Sequence, residues 1–204
     1  QHINNQCAQG FLIFTTTPAR REDICNRRPA MQALFLMIKS PSPQCRIIVG
    51  MTVCNLLACP KSQRSAINAG ALQVLKIICT MEYPQLREAS ARVIINLVQE
   101  KSLHPLLLAT NQFVPMINCV LHKSGDGTNP SHENAITIFN CCAHAMSAVS
   151  YVEEFRDHVL TSFGHGTLVN AVLTGRVDTI EVATEIVRTF CLLSYETDKI
   201  PMMI

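Results

Sequence analysis

The residues of this sequence that come nearest to chemistry are cysteines and histidines. Cys141-Cys142-Ala143-His144 gathers three soft ligands within four positions. Adjacent residues of a helix point about 100° apart, so Cys141 and Cys142 cannot both face one metal ion without distortion. His132-Glu133 lacks the second histidine, four residues on, that a zinc-protease motif needs. The polar loop Ser124-Gly125-Asp126-Gly127-Thr128-Asn129-Pro130 contains glycine, but it lacks the Gly-Lys-Ser/Thr ending of a phosphate cradle and follows no strand. A Cys/His nucleophile pair would have to assemble in space, and nothing marks one cysteine above the other nine. The expectation is no catalytic residue, no metal site, no cofactor and no small-molecule substrate.

Charge offers a second kind of chemistry. Arg20-Arg21 and Arg27-Arg28 form a basic cluster on and after a short helix. Such a cluster suits an acidic partner, tubulin-like tails, phosphoinositide or RNA phosphates, or it is simply a solvated face. The scarcity of aromatics and the lack of a Gly-rich basic tract weigh against nucleic acid. Residues 1–64 hold eight Lys/Arg against two Asp/Glu, a charge of +6, and the remainder holds nine against thirteen, a charge of −4. That polarity can orient a partner or a neighbouring subunit.

Ten cysteines in a small secreted protein would suggest disulfides. Here most lie inside apolar helical patterns such as Val53-Cys54-Asn55-Leu56, with no C-x-x-C pair. They are expected to be reduced and structural, which implies an intracellular compartment, cytoplasmic by default. Charged residues are 16% of the chain against a usual value near 25%, so the chain reads as a piece buried in something larger. No apolar run approaches the roughly 18 residues that span a bilayer. The start at Gln1-His2-Ile3 resembles neither an initiator nor a signal peptide, so the chain is expected to be an excerpt.

These side chains are positioned by a repeat. Pro43 maps onto Pro84, Gly50 onto Ala91, Val53 onto Ile94, Asn55 onto Asn96 and Leu56 onto Leu97, always 41 residues apart. A fixed period of that size indicates a solenoid, whose units cannot bury their apolar sides alone and need neighbours to supply the missing wall. Three positions of a second helix repeat in the same register: Met31, Leu72 and Phe113; Leu34, Leu75 and Met116; Met37, Ile78 and Cys119. The corner before it falls at Pro29, Gly70 and Asn111, all residues that punctuate helices.

In chain order, residues 2–16 read as the last helix of an incomplete unit, broken by Pro18. Short helices follow at 19–26 and 30–39, then a longer one at 44–58 with Ile47, Ile48, Met51, Cys54 and Leu57 on the core side, Gly50 at a close contact, and Pro60 ending it. The plan recurs at 62–69, 71–82 and 85–100. It loosens afterwards, with a helix at 112–123 interrupted by Pro115, another at 131–147, a lengthened one at 150–163, a corner at Gly164-His165-Gly166, and helices at 167–174 and 178–195. The units are thus 17–59, 60–100, 101–147 and 148–195, with 1–16 a partial unit and 196–204 beginning another.

The strings Asn55-Leu56-Leu57, Asn68-Ala69-Gly70-Ala71-Leu72 and Ile95-Asn96-Leu97 resemble the armadillo repeat, with its three helices per unit, its glycine corner and its Asn-Leu pair near the end of the third helix. The likeness covers nearly the whole chain and is strongest over residues 43–123. It implies an all-α, right-handed armadillo-like superhelical solenoid of about five units, whose third helices line a groove for an extended peptide or partner helix. Asn55, Asn96 and Asn140 would be the groove asparagines, with Arg92 beside them. An Asn amide both donates and accepts, so it can pair with a peptide backbone or with its own solenoid. Cargo readers of this family carry Trp four residues before that Asn. Here those positions are Met51, Arg92 and Ile136, there is no Trp in the chain, and Arg92 would repel a basic signal. The function expected is a non-enzymatic protein-interaction scaffold in a large intracellular assembly, with a cytoskeletal, axonemal or ciliary setting as a candidate. A cargo or nuclear-import adaptor and a regulatory helical domain of a larger enzyme are the alternatives.

Overall fold

A computed structural model of the chain describes residues 2–123, 132–162, 164–173, 177 and 179–195. Among these residues every regular element is helical. In order they are α1 (His2–Thr16), α2 (Pro18–Asn26), α3 (Arg28–Met37), α4 (Pro43–Ala58), α5 (Pro60–Asn68), α6 (Ala71–Thr80) and α7 (Pro84–Gln99). A 3-10 turn (Lys101–Leu103) leads into α8 (His104–Leu108), α9 (Phe113–Lys123), α10 (His132–Ser150), α11 (Glu153–Thr161), α12 (Gly164–Leu173) and α13 (Ile180–Leu193). The chain divides into two compact units, Gln1–Val93 and Ile94–Ile204, the division falling within α7. The polar loop at 124–130 and the segment 196–204 lie outside the described residues.

Proline separates helices here by acting on the residue in front of it. Thr17 (φ −93°, ψ 117°) and Cys59 (φ −95°, ψ 117°) are extended, and Pro18 and Pro60 then start α2 and α5. The ring clashes with a helical residue before it but suits a first turn, where no N–H is needed. Glu100 (φ −87°, ψ 90°) and Val152 (φ −99°, ψ 119°) make the same break without proline. Pro115 does not interrupt α9, because it falls in the first turn of a helix that begins at Phe113. Likewise Gly164-His165-Gly166 is no corner but the opening turn of α12.

Two of the three expected corners share one device. Gly70 (φ 98°) and Asn111 (φ 48°) both sit in the left-handed region, which Gly enters freely and Asn tolerates. Proline is locked near −65° and cannot follow them. Pro29 accordingly lies inside the first turn of α3, and the chain turns instead at Arg27 (φ −98°, ψ 89°). The expected lengthening at 150–163 is also absent: α11 has nine residues, like α2 and α5, and the longest helix is α10 with nineteen.

In the N-terminal unit α4 is the centre of packing. It runs parallel to α1, since the Cys45 thiol meets the Asn4 carbonyl near one end and the Asn55 amide meets Thr15 near the other. It runs parallel to α7 as well, through Arg46 with the Tyr83 hydroxyl and Gly50 against Leu86. With helices on two sides, Cys45, Ile48, Val49, Thr52, Val53, Cys54, Leu56 and Leu57 are all buried, while Ile47 and Met51 are only half-buried. Most of the second-helix stripe is as expected: Met31, Leu34, Leu72, Leu75 and Ile78 are buried, each contributing about 1.5–3 kcal/mol by leaving water, whereas Met37 and Cys119 at the third repeated position are only half-buried.

The C-terminal unit packs around Phe155 of α11. Its ring lies 5.7 Å from that of His104, edge-on at 84°, and 6.5 Å from Phe113. Phe113 and Met116 are buried on α9, and Ile138, Phe139, Cys142, Ala143, Met146 and Val149 on α10. α13 lays Val182, Ile186, Thr189 and Leu193 inward and packs on α10.

Candidate functional site: the polar positions of the third helices

The third helices hold Asn55, Arg92, Asn96 and Asn140, and the structure treats each differently. Asn55 is half-buried, and its Nδ2 donates to Thr15 Oγ1 at 3.4 Å, while Thr15 donates to the Leu12 carbonyl at 2.9 Å. One of its two amide N–H groups is therefore used on the neighbouring helix α1. Asn96 is exposed and its side chain makes no hydrogen bond among the described residues. Asn140 is half-buried on α10, again without a side-chain bond among the described residues. Asn96 thus offers its whole amide to a visitor, whereas Asn55 already has one N–H engaged.

Arg92 is not a bare positive charge. Both Nε (3.1 Å) and Nη2 (3.0 Å) reach Glu88 Oε1 one turn back on α7. The carboxylate of Glu88 offsets part of the positive charge that Arg92 presents to a basic ligand. Of the positions that cargo readers fill with Trp, Met51 and Ile136 are half-buried and Arg92 is exposed. On α13 in the C-terminal unit, Glu185 accepts from Arg188 three residues on, and its Oε1 lies 3.7 Å from His144 Nδ1 of α10.

The four arginines of the basic cluster differ in their surroundings. Arg21 Nε donates to the Thr15 carbonyl at 2.5 Å, sealing the end of α1, and Arg20 stacks over the Phe14 ring at 4.8 Å. Arg27 is the hinge residue between α2 and α3, and Arg28 opens α3, both exposed. Two of the four arginines therefore work within the fold.

Arg21 belongs to a device that sequence reasoning missed. Ser62 Oγ donates to the Leu56 carbonyl at 2.6 Å, and His104 Nε2 lies 2.7 Å from the Val98 carbonyl. In all three cases a side chain near the start of a first helix reaches six residues back, to a final carbonyl of the third helix before it. Those carbonyls have no helical partner of their own, so each bond satisfies an otherwise orphaned acceptor. The residue types Arg, Ser and His share no pattern, which hid the repetition; only the constant six-residue spacing signals it.

All ten cysteines are free thiols, six of them buried and Cys7 and Cys191 exposed. Burial pushes the Cys54 thiol up to about 12, partly offset by a hydrogen bond with Ser90. Burial also pushes Cys25 up to about 11, helped by the nearby Cys59 and Glu22. At Cys59 burial acts upward too, but the Ser62 side chain, the Lys61 and Ser62 backbone N–H groups and the Arg21 charge outweigh it and hold the thiol below its ordinary value. In the Cys141–His144 segment Cys142 is fully buried while His144 faces Glu185 and solvent, and no group of three or more metal-ligating side chains occurs among the described residues. No helix among those residues is long and apolar enough to cross a membrane.

No protein-family model and no curated protein matches the chain. Solved structures do resemble it. An engineered protein from the Northeast Structural Genomics Consortium superposes with a TM-score of 0.60 over 96% of this chain and 85% of its own, at 12% identity. A second engineered protein from that consortium gives 0.54 over 94% and 90%, also at 12% identity. A designed armadillo repeat protein covers 90% of this chain and 98% of its own at 12% identity, but its TM-score of 0.39 is too low to argue from. At such identities likeness speaks for the fold alone. The fold is an all-α array of packed helices.

Proposed function

We propose that the chain is a non-enzymatic protein-interaction scaffold whose third-helix faces hold an extended peptide or a partner helix, within a larger intracellular assembly. The observation that carries this reading is Asn96, an exposed amide on α7 with no side-chain bond among the described residues, at the register where the armadillo likeness places a peptide-binding asparagine. Asn140 on α10 and the carbonyl oxygen of Asn55 on α4 supply the corresponding groups of their own helices. An amide that pairs with backbone binds extended peptides whatever their sequence, and apolar contacts then supply specificity. Panning a displayed library of extended peptides against the protein tests the reading, with binding mapped by backbone amide shifts. The expected result is shifts on α7 around Asn96 and affinity reduced about tenfold by Asn96→Ala with an unchanged melting temperature. Peptides whose binding ignores Asn96→Ala, or a variant that loses stability and binding together, would overturn it.

A further inference from the structure

The second helices of the N-terminal unit carry a surface that the third-helix reading does not use. Gln32, Phe35, Leu36 and Lys39 of α3 and its C-terminal turn face Gly70, Gln73, Val74 and Ile77 of the corner and α6, around an apolar cleft of about 560 Å³. Both rows are spaced i, i+3, i+4, i+7, so two parallel ridges frame one trough. Leu36 at its rim is 71% exposed, a large apolar side chain left in water. Gln32 also lines an adjoining polar pocket of about 600 Å³, together with Asn26, Arg28, Ser65 and Asn68. The two clefts share Gln32 and together follow α3 from Arg28 to Lys39, roughly 16 Å at the helical rise.

The charge around this cleft has one sign. Residues 24–81 contain seven Lys/Arg and no Asp or Glu. Arg28 at one end and Lys39 at the other make no ion pair among the described residues. Apolar walls with a cation at each end fit a short amphipathic ligand that brings its own carboxylates.

We propose that this cleft is a docking site for an acidic amphipathic helix of another protein, about three turns long, whose apolar stripe fills the trough lined by Phe35, Leu36, Val74 and Ile77 while flanking Asp/Glu meet Arg28 and Lys39. Gln32 and Gln73 pair with polar groups of its exposed edge. The site is separate from the third-helix face, and either can fail without the other.

The test uses a fluorescein-labelled, capped 14-residue helical peptide with Leu at i, i+3 and i+7 and Glu in its first and last turns. Its partners are the same peptide with Lys in place of Glu, and vesicles of phosphatidylserine. Fluorescence anisotropy reads the affinity, and amide shifts read the place. The Glu peptide is expected to bind at least tenfold more tightly than the Lys peptide and to shift α3 and α6. Leu36→Glu, at an already exposed position, is expected to weaken binding at least tenfold. Arg28→Glu with Lys39→Glu is expected to reverse the preference toward the Lys peptide. Equal affinity for the two peptides, indifference to Leu36→Glu, shifts confined to α4, α7 or α10, or binding to vesicles but not to the Glu peptide would each overturn the proposal.

Discussion

α4 and α13 are both third helices, yet they bury differently. α4 has α1 on one side and α7 on the other, and its buried residues cover all but one face, where Ile47, Met51, Asn55 and Ala58 are half-buried, with no clean polar stripe. α13 packs on α10 and buries only Val182, Ile186, Thr189 and Leu193, while Ile180 (86%) and Val187 (61%) stand in water. Amphipathicity thus reports how many neighbours a helix has as much as what kind of helix it is. A helix flanked on both sides must be apolar nearly all round. Uniform apolarity in a sixteen-residue segment is therefore a sign of a middle layer, and not of a membrane span or of poor patterning.

Substitutions can break or sharpen that contrast. The largest effect is expected at fully buried core positions: Leu75→Ala on α6 costs about 2–5 kcal/mol and Phe155→Ala on α11 about 3–5 kcal/mol. Hydrogen exchange should show protection lost first around the altered helix. An equal, small loss at both sites would mean that neither is a packing centre. The α4 layer also carries a pH signature. Cys54 and Cys25 are protonated more tightly when folded than when unfolded, so their contribution is complete below pH 9 and is lost as pH rises through about 11 to 12. For the fully buried Cys54 the loss is on the order of a few kcal/mol, and solvent screening makes it smaller for Cys25. Urea melts at pH 8.5 and 10.5 should show it, and Cys54→Ala should flatten the slope.

Smaller effects test the close approaches. A Cβ on Gly50 would come within 2.8 Å of Leu86 Cδ2, so Gly50→Ala should cost about 1–3 kcal/mol, with Gly50→Ala/Leu86→Ala less costly than the sum of the two. Purely additive losses would place α4 and α7 further apart than the structure does. The smallest effect is expected at Arg92, whose pair with Glu88 is exposed to solvent. Arg92→Ala should change stability by less than about 0.5 kcal/mol, measurable as an unmoved denaturant midpoint.

The helices were legible because their signals are local. Prolines at 18, 43, 60 and 84 mark the starts of α2, α4, α5 and α7, and the 31/72/113 and 34/75/116 positions repeat because each must fill the same gap between layers. The left-handed corner was legible at Gly70 and Asn111, where backbone geometry restricts the residue type, and misread at Pro29, where the chain turns by another route. Side-chain partnerships were not legible. Nothing in the register says that Asn55 spends one amide N–H on Thr15, or that Glu88 occupies Arg92. Nor does adjacency in sequence reveal that Arg21 works inward while Arg28 faces out. Those outcomes depend on which groups converge from different helices, which a period of 41 residues does not encode.

The six-residue reach from Arg21, Ser62 and His104 to the preceding helix end makes the joint between layers indifferent to its own chemistry. A guanidinium, a hydroxyl and an imidazole serve as alternative fasteners for one kind of seam. Where the fastener is only half-buried, as at Arg21, exchanging it for His should leave the seam closed, whereas Ser62 is fully buried and has no room for a larger ring.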